Sequence, residues 1–386
     1  KSPWMHDNSL IEINREAFES NWQFLKQHFG KKVLISSVVK GNAYGHGIKP
    51  FVTMALESGV THFSVFDCNE ARQVNEVVKD RAEIMIMGWI ENTSIPWAIE
   101  NNVSIYVFEK KRLEAAIKSA KKLGKKVKLH IEIETGMNRT GFQPKEISSL
   151  IKYLKKEQDH FIFQGLCTHY AGAESIANYY RVKNQMDQYP KLYTRFCAEG
   201  LTPILRHTAC SAAAMMYPET CMDMVRIGIM QYGLWPSPEA FVNYLNVSKK
   251  HIDPLRRVIS WKSKVMSIRK VTQGQFIGYG NSYMASENMK IAVVPIGYAH
   301  GYSRTLSNQG RVLISGYRCQ VIGTINMNMM LVDVSEILII HIGDEVVLIG
   351  RQDNLDLSVA SFSDFSNLLN YELLTRLSQE IPRIII

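Results

Sequence analysis

No apolar run in these 386 residues approaches the roughly 20 residues that a membrane-spanning helix needs. Runs such as IMIMGWI at 84–90 and IAVVPIG at 291–297 are strand-sized. Cysteine is scarce: Cys68, Cys167, Cys197, Cys210, Cys221 and Cys319, with no CxxC pair, read as reduced and mostly buried thiols. Histidines are scattered and show no HxxxH spacing, so a metal centre is not expected. No GxGxxG follows a strand, which removes the usual dinucleotide fingerprint. The net charge is +9, yet no arginine-rich arm or aromatic-interleaved basic stripe accompanies it. Its basic residues spread over stretches such as 110–128 and 249–270, as on a solvated surface. Nucleic acid is therefore not expected, nor a membrane, although a modest positive field would draw anionic ligands. There is no internal repeat and no low-complexity tract. The opening Lys1-Ser2-Pro3 has no leader-type apolar core. A cytoplasmic protein is the default expectation, with a removed export signal left open.

What is present is ordinary folded-protein composition, 46% apolar and 21% charged. The length suits two domains, or one large barrel with an appendage. Eight strand candidates come first: 33–40, 62–67, 83–88, 103–108, 126–134, 163–169, 204–209 and 224–229. Stretches of helical period, such as AFESNWQFLKQHF at 17–29, lie between them. Eightfold strand–helix alternation predicts an α/β fold, a (β/α)8 TIM-type barrel, with an open doubly wound sheet as the alternative. Past residue 246 the strands at 260–268, 290–297, 311–315, 319–323, 329–334 and 345–350 follow one another with few helices between. The reading is a barrel over 12–246 and a mostly β domain over 247–386, with residues 5–11 as candidates to join the latter. The linker falls at Asn246–Arg257, and a last helix at 363–379 precedes an apolar tail.

In such a barrel the reactive groups gather at the C-terminal ends of the strands. The first strand ends in Lys40, followed by GNAYGHG. A lysine there is partly desolvated, which lowers its pKa and frees the amine as nucleophile or base. Its ordinary fate would be a surface position, but Gly41, Gly45 and Gly47 allow backbone to approach a ligand closely. The fifth strand leads to Arg139 in ETGMNRTG, the sixth ends in His169, the seventh runs into Cys210-Ser211, and the eighth carries Arg226 before Gly228. Singly these read as an ion pair, a core histidine or, for Ser211, a helix N-cap. Together they place an amine, an imidazole, two guanidinium groups and a Ser-led helix start on one rim. A hydroxyl at a helix start suits phosphate, and a lysine beside a phosphate site suits pyridoxal phosphate.

Seven ordered segments, VVKGNAYGHG (38–47), ETGMNRTGF (134–142), THYAGAES (168–175), RHTACSAA (206–213), MVRIGI (224–229), GYG (278–280) and PIGYAHG (295–301), resemble alanine racemase over nearly the whole chain. The resemblance implies a pyridoxal 5'-phosphate barrel with a β domain. It also implies a homodimer with shared active sites, acting on free L- or D-alanine. By that resemblance Lys40 holds the cofactor and serves as one base, and Tyr279, from the other subunit, is the opposing base. Tyr44, Ser211, Gly228 and Ile229 match the phosphate-binding set. Arg226 matches the arginine facing the pyridine nitrogen, and His169 the ring-packing histidine. Arg139 and the Met327 amide match the carboxylate contacts, and Tyr298 and Arg304 the entrance corridor.

Some positions depart from the family pattern. Glu132 stands where many members carry a carbamylated lysine, and would orient Arg139 as a native carboxylate. Gln379 replaces a tyrosine, Thr324 an arginine, and Asn326 and Asn328 a Cys and an Asp around Met327. These swaps remove bulk and charge. They open the alternative of a racemase for larger amino acids such as serine or lysine. A decarboxylase of the same architecture and a pyridoxal-phosphate homeostasis protein are the other readings. The GYG and PIGYAHG segments speak against the first, and the roughly 140 residues beyond the linker against the second.

Overall fold

The computed structural model describes residues 8–249, 251–362 and 370–386. The chain forms two compact units, one built from 16–40 and 52–256, the other from the described residues up to 15 with 41–51 and 257–386. Strand β1 (Ser9–Ile13) belongs to the latter.

The first unit is an eight-stranded parallel near-barrel. Its strands are β2 (Leu34–Val38), β3 (His62–Val65), β4 (Glu83–Ile86), β5 (Ser104–Val107), β6 (Val127–Glu132), β7 (Phe161–Cys167), β8 (Leu205–His207) and β9 (Met224–Ile227). They pair in the order β8-β7-β6-β5-β4-β3-β2-β9. The seam between β8 and β9 closes through Asp223 N–H to the Arg206 carbonyl at 3.1 Å and Arg226 N–H to the Ala209 carbonyl at 2.9 Å. All eight expected strands are present, and they form a closed TIM-type ring rather than the open sheet.

Intervening helices follow local signals. In Lys110–Leu123 the Glu109 side chain accepts from Arg112 N–H, and Gly124, at φ 62°, ends the helix in the left-handed region. Leu113, Ala116, Ile117 and Ala120 recur at helical spacing and are buried. The barrel interior departs from an aliphatic filling. Ser36, His62, Ser64, Ser104, His130 and His207 are all buried, and they hydrogen-bond to one another in two groups.

The second unit is mostly β. It contains β1, β10 (Ile259–Lys264), β11 (Ser267–Val271), β12 (Met289–Val294), β13 (Arg311–Ile314), β14 (Tyr317–Ile322), β15 (Met330–Asp333), β16 (Glu345–Gln352), β17 (Leu355–Leu357) and β18 (Arg383–Ile385). The order is β11-β12-β15-β14-β13-β16-β10-β1-β18, with β17 on β16. Ladders are antiparallel except β1 with β18. The stretch 260–268 is not the single strand expected. It breaks at Val265–Met266, where backbone bonds pass from Asp344 to Val293, so β10 pairs with β16 and β11 with β12. The apolar tail is itself strand β18, and β17 was not foreseen. Helix Pro238–Ser248 continues into the segment expected to be linker. Of the expected helix at 363–379, the described part is helical over Asn370–Arg376, and 363–369 lie outside the described residues. Residues 5–7 also lie outside them. No helix among the described residues is long and apolar enough to cross a membrane.

Candidate active site

Lys40 follows β2 directly, after Val39, whose N–H donates to the Ser64 carbonyl at 2.9 Å. Its side chain is open to solvent. Even so, surrounding protein strips enough water from the ammonium to lower its pKa. The charges of Arg139 and Arg226 push the same way, against Glu70 and Cys210.

The backbone beyond Lys40 takes an unusual course. Gly41, Asn42, Ala43 and Tyr44 have φ of 63°, 55°, 52° and 50°, one turn of left-handed helix. For non-glycine residues each such position costs about 1–2 kcal/mol. The turn is held by Gly45 N–H to Gly41 O at 3.1 Å, Gly47 N–H to Asn42 O at 2.9 Å and Ile48 N–H to Asn42 Oδ1 at 3.1 Å. Arg383 adds two bonds to the Gly45 carbonyl, at 3.2 and 3.0 Å. The glycines pointed to close approach of backbone. The left-handed course through Asn42–Tyr44 was missed, and Asn42 beside Gly41 was its only local signal.

Arg226, on β9, is buried and almost fully engaged. It donates to His207 Nδ1 at 2.6 Å and to the carbonyls of His207, Thr168 and Thr208 at 3.1, 2.9 and 3.0 Å. Its fifth N–H, on Nε, makes no hydrogen bond among the described residues. His169 follows β7. Burial, with the charges of Arg226, Arg139 and Lys40, pushes its pKa down to about 3, so the ring is neutral.

The loop after β6 differs in detail from the sequence expectation. Glu132 is buried, which raises its pKa. The Thr140 hydroxyl and the charges of Arg139 and Arg226 oppose the rise, while Glu134 adds to it. Among the described ion pairs none joins Glu132 to Arg139. The loop carrying Arg139 is tied instead by Glu134, whose carboxylate accepts from Gly136 N–H and, at 2.8 Å, from Asn138 N–H. Gln185, fully buried, accepts from Ala171 N–H at 2.8 Å and donates to the His169 carbonyl at 2.8 Å and to Thr135 Oγ1 at 3.1 Å. It joins the loops that follow β6 and β7. Neither residue was singled out from sequence, although an acid two residues before Gly136 is a turn signal.

Ser211 is the first helical residue of Ser211–Met216, and Cys210 occupies the N-cap expected for it. Its hydroxyl accepts from Gly228 N–H at 3.0 Å, so two of the residues expected to take a phosphate meet. Ile229 begins the short turn that Gly228 caps. The barrel unit thus holds Lys40, Glu132, Arg139, His169, Ser211, Arg226, Gly228 and Ile229.

The remaining candidates belong to the β unit. Tyr44 is buried, 5.8 Å from the Tyr371 ring. Tyr279 stands between Gly278 and Gly280, at φ 79° and 66°, on a turn closed by Ile277 N–H to Tyr283 O. The residue is 73% exposed. Tyr298 N–H donates to the Asn326 carbonyl and Ala299 N–H to the Met327 carbonyl. A Cβ on Gly297 would lie 2.1 Å from the Asn326 carbonyl oxygen, so only glycine permits this approach. Met327, Asn328, Arg304 and Gln379 are exposed, and Thr324 pairs with Ser282 at 3.1 Å.

Family models for the alanine racemase N-terminal and C-terminal domains match residues 13–236 and 258–385. The alanine racemase of Leptospira interrogans is 31% identical over 98% of this chain and 96% of its own. That of Symbiobacterium thermophilum is 32% identical over 96% and 95%. Among solved structures, alanine racemase from D-cycloserine-producing Streptomyces lavendulae superposes with a TM-score of 0.91 at 26% identity, covering 99% and 98% of the two chains. The Bacillus anthracis alanine racemase with bound L-Ala-P gives 0.89 at 31%, covering 99% and 96%. With both domains matched in order, and relatives above 30% identity along nearly its full length, the chain belongs to the alanine racemase family of isomerases.

Proposed function

We propose that this chain is a pyridoxal-phosphate alanine racemase working by two bases, Lys40 and Tyr279 of the partner subunit. The observation that carries the reading is the company of Lys40: an amine of lowered basicity whose electrostatic neighbours include Arg139, Arg226 and the neutral His169. Those groups fit the cofactor. Lys40 would hold it through its amine, and the Ser211–Gly228 pair, with Ile229 and Tyr44, would take the phosphate. The one unengaged N–H of Arg226 would meet the pyridine nitrogen, and the His169 ring would pack on the cofactor without adding charge. Arg139 and the Met327 amide would hold the substrate carboxylate.

Bound pyridoxal phosphate supplies the electron sink that makes the Cα proton of an amino acid removable. Racemisation then needs a base on each face of Cα, so that a proton leaves one side and another arrives on the other. Burial and the nearby Arg139 and Arg226 charges lower the pKa of Lys40 and so favour its neutral amine, which would take the proton, and the Tyr279 hydroxyl would give one back from the opposite face. An outward-presented phenol between two left-handed glycines suits service to a neighbouring subunit. Arg226 remains a cation and does not protonate the pyridine nitrogen. By leaving that nitrogen unprotonated, Arg226 would limit side reactions such as transamination.

Mixing two inactive variants tests the shared site. Lys40→Arg and Tyr279→Phe should each abolish turnover, Tyr279→Phe with its cofactor absorbance intact. Re-paired subunits should regain about a quarter of normal activity, because half the dimers are hybrids with one intact site of two. A mixture that stays silent, or a Tyr279→Phe enzyme that still racemises, would overturn the reading. Chiral chromatography over alanine, serine and lysine gives the substrate range, with alanine expected first.

A further inference from the structure

A chain of polar groups inside the barrel has no part in the chemistry above. His207 Nδ1 receives the 2.6 Å bond from Arg226, and His207 Nε2 lies 2.8 Å from His130 Nδ1. His130 Nε2 lies 3.2 Å from Ser104 Oγ, which donates to the Ile84 carbonyl at 3.2 Å. His130 and His207 are fully buried, and Ser104 and Arg226 nearly so.

The direction of every bond follows from one fact. A guanidinium only donates, so His207 Nδ1 must be a bare acceptor. A neutral His207 then carries its proton on Nε2 and donates to His130 Nδ1. His130, bare there, carries its own proton on Nε2 and donates to Ser104, whose hydroxyl passes the direction on to Ile84. No other neutral arrangement satisfies all the partners. Burial, aided by the Arg226 charge, holds both imidazoles well below their usual pKa, which keeps them neutral.

A second feature shows that the strands make room for this pair. Gly165 lies opposite His130 in the β6–β7 ladder. A Cβ there would sit 2.2 Å from His130 Nδ1 and 2.8 Å from His207 Nε2, on the hydrogen bond itself. Glycine in the middle of a buried strand is otherwise unfavourable.

We infer that His130 is a positioning residue: by accepting from His207 Nε2–H it supports, from the far side, the tautomer whose bare Nδ1 Arg226 requires, and so helps hold the guanidinium in the orientation that leaves Nε–H as its remaining donor. Without that acceptor His207 can move its proton to Nδ1, where N–H would meet N–H and the guanidinium would have to turn. The consequence for turnover rests on the role proposed above for Arg226, whereas the tautomer assignment does not.

The test is long-range proton–nitrogen correlation on 15N-histidine-labelled enzyme with pyridoxal phosphate added. His207 and His130 should both be neutral, with bare Nδ1 and protonated Nε2. His130→Asn places a carboxamide oxygen where Nδ1 was and should preserve the His207 tautomer. His130→Leu should give a mixture of tautomers and a kcat lower by roughly tenfold, the scale on which an orienting partner matters. His130→Asn should recover most of that loss. A proton on His207 Nδ1 in the unsubstituted enzyme, an unchanged tautomer in His130→Leu, or equal loss in both variants would each overturn the inference. If His130→Leu does not fold, the unsubstituted enzyme and His130→Asn still decide the question.

Discussion

Lowering the pH from 7.5 to about 5.5 should destabilise this protein far more than its carboxylates account for. His46, His62, His130 and His207 are at most 2% exposed. Burial pushes His46 and His62 down to about 4, and His130 and His207 well below their usual range. In the unfolded chain each titrates near 6.5. Below that pH the unfolded state binds a proton at each position that the native state refuses, so stability falls as pH falls. Each group contributes about 1.4 kcal/mol per pH unit. One unit below 6.5, these four groups remove about 5 kcal/mol, and His169, pushed down to about 3, adds to the loss in the same sense, against about 5–15 kcal/mol for a whole domain. Glu132 works in the opposite sense, because its raised pKa lets the native state take a proton before the unfolded chain does. Asp223 and Asp356, where burial is outweighed by Arg206 and by Arg257 with Arg351, join the loss only at lower pH. Urea unfolding midpoints across the range measure the effect, and His62→Asn should flatten the slope by one histidine's share. Midpoints that hold steady down to pH 5.5 would mean that the imidazoles protonate inside the fold, and the reasoning would fail.

Gly45→Ala should cost about 1–3 kcal/mol more than Gly30→Ala. Both sites have positive φ, but the new Cβ at Gly45 would lie 1.9 Å from the Leu374 carbonyl oxygen, whereas nothing lies within 4 Å at Gly30. Equal unfolding midpoints would refute the steric account of the left-handed turn. Glu134→Gln weakens two charge-assisted bonds that tie the Arg139 loop, so KM should rise about tenfold with a smaller change in kcat. Steady-state kinetics that show the reverse split would count against Arg139 as a carboxylate contact. Arg226→Glu should speed half-transamination of alanine relative to racemisation, read by pyruvate release, and no change would remove the electron-sink argument.

The barrel was legible because its strands are short β-branched runs set between stretches of helical period. The residues that distinguish its interior were not. His62, His130 and His207 sit in apolar strands, where each reads as an isolated core histidine. Only the closed ring brings β6, β8 and β9 near enough for the chain of bonds to form. Lys40, Arg139, His169 and Arg226 were singled out by their places at strand ends, a rule of the fold rather than of local chemistry. The left-handed turn after Lys40 depends on Arg383, which lies 338 residues from Gly45, so no local propensity could announce it. The break between β10 and β11 is likewise a change of partner. Ser211 and Cys210 exchange the capping role because one residue of register is below what a sequence pattern resolves.

The most direct test of the account is conversion of L-alanine by the purified protein with pyridoxal phosphate in D2O, followed by chiral chromatography and mass spectrometry. It should yield equal D- and L-alanine carrying deuterium at Cα, and Lys40→Arg should yield neither. Absence of D-alanine from the unsubstituted protein, or its formation without Lys40, would contradict the account.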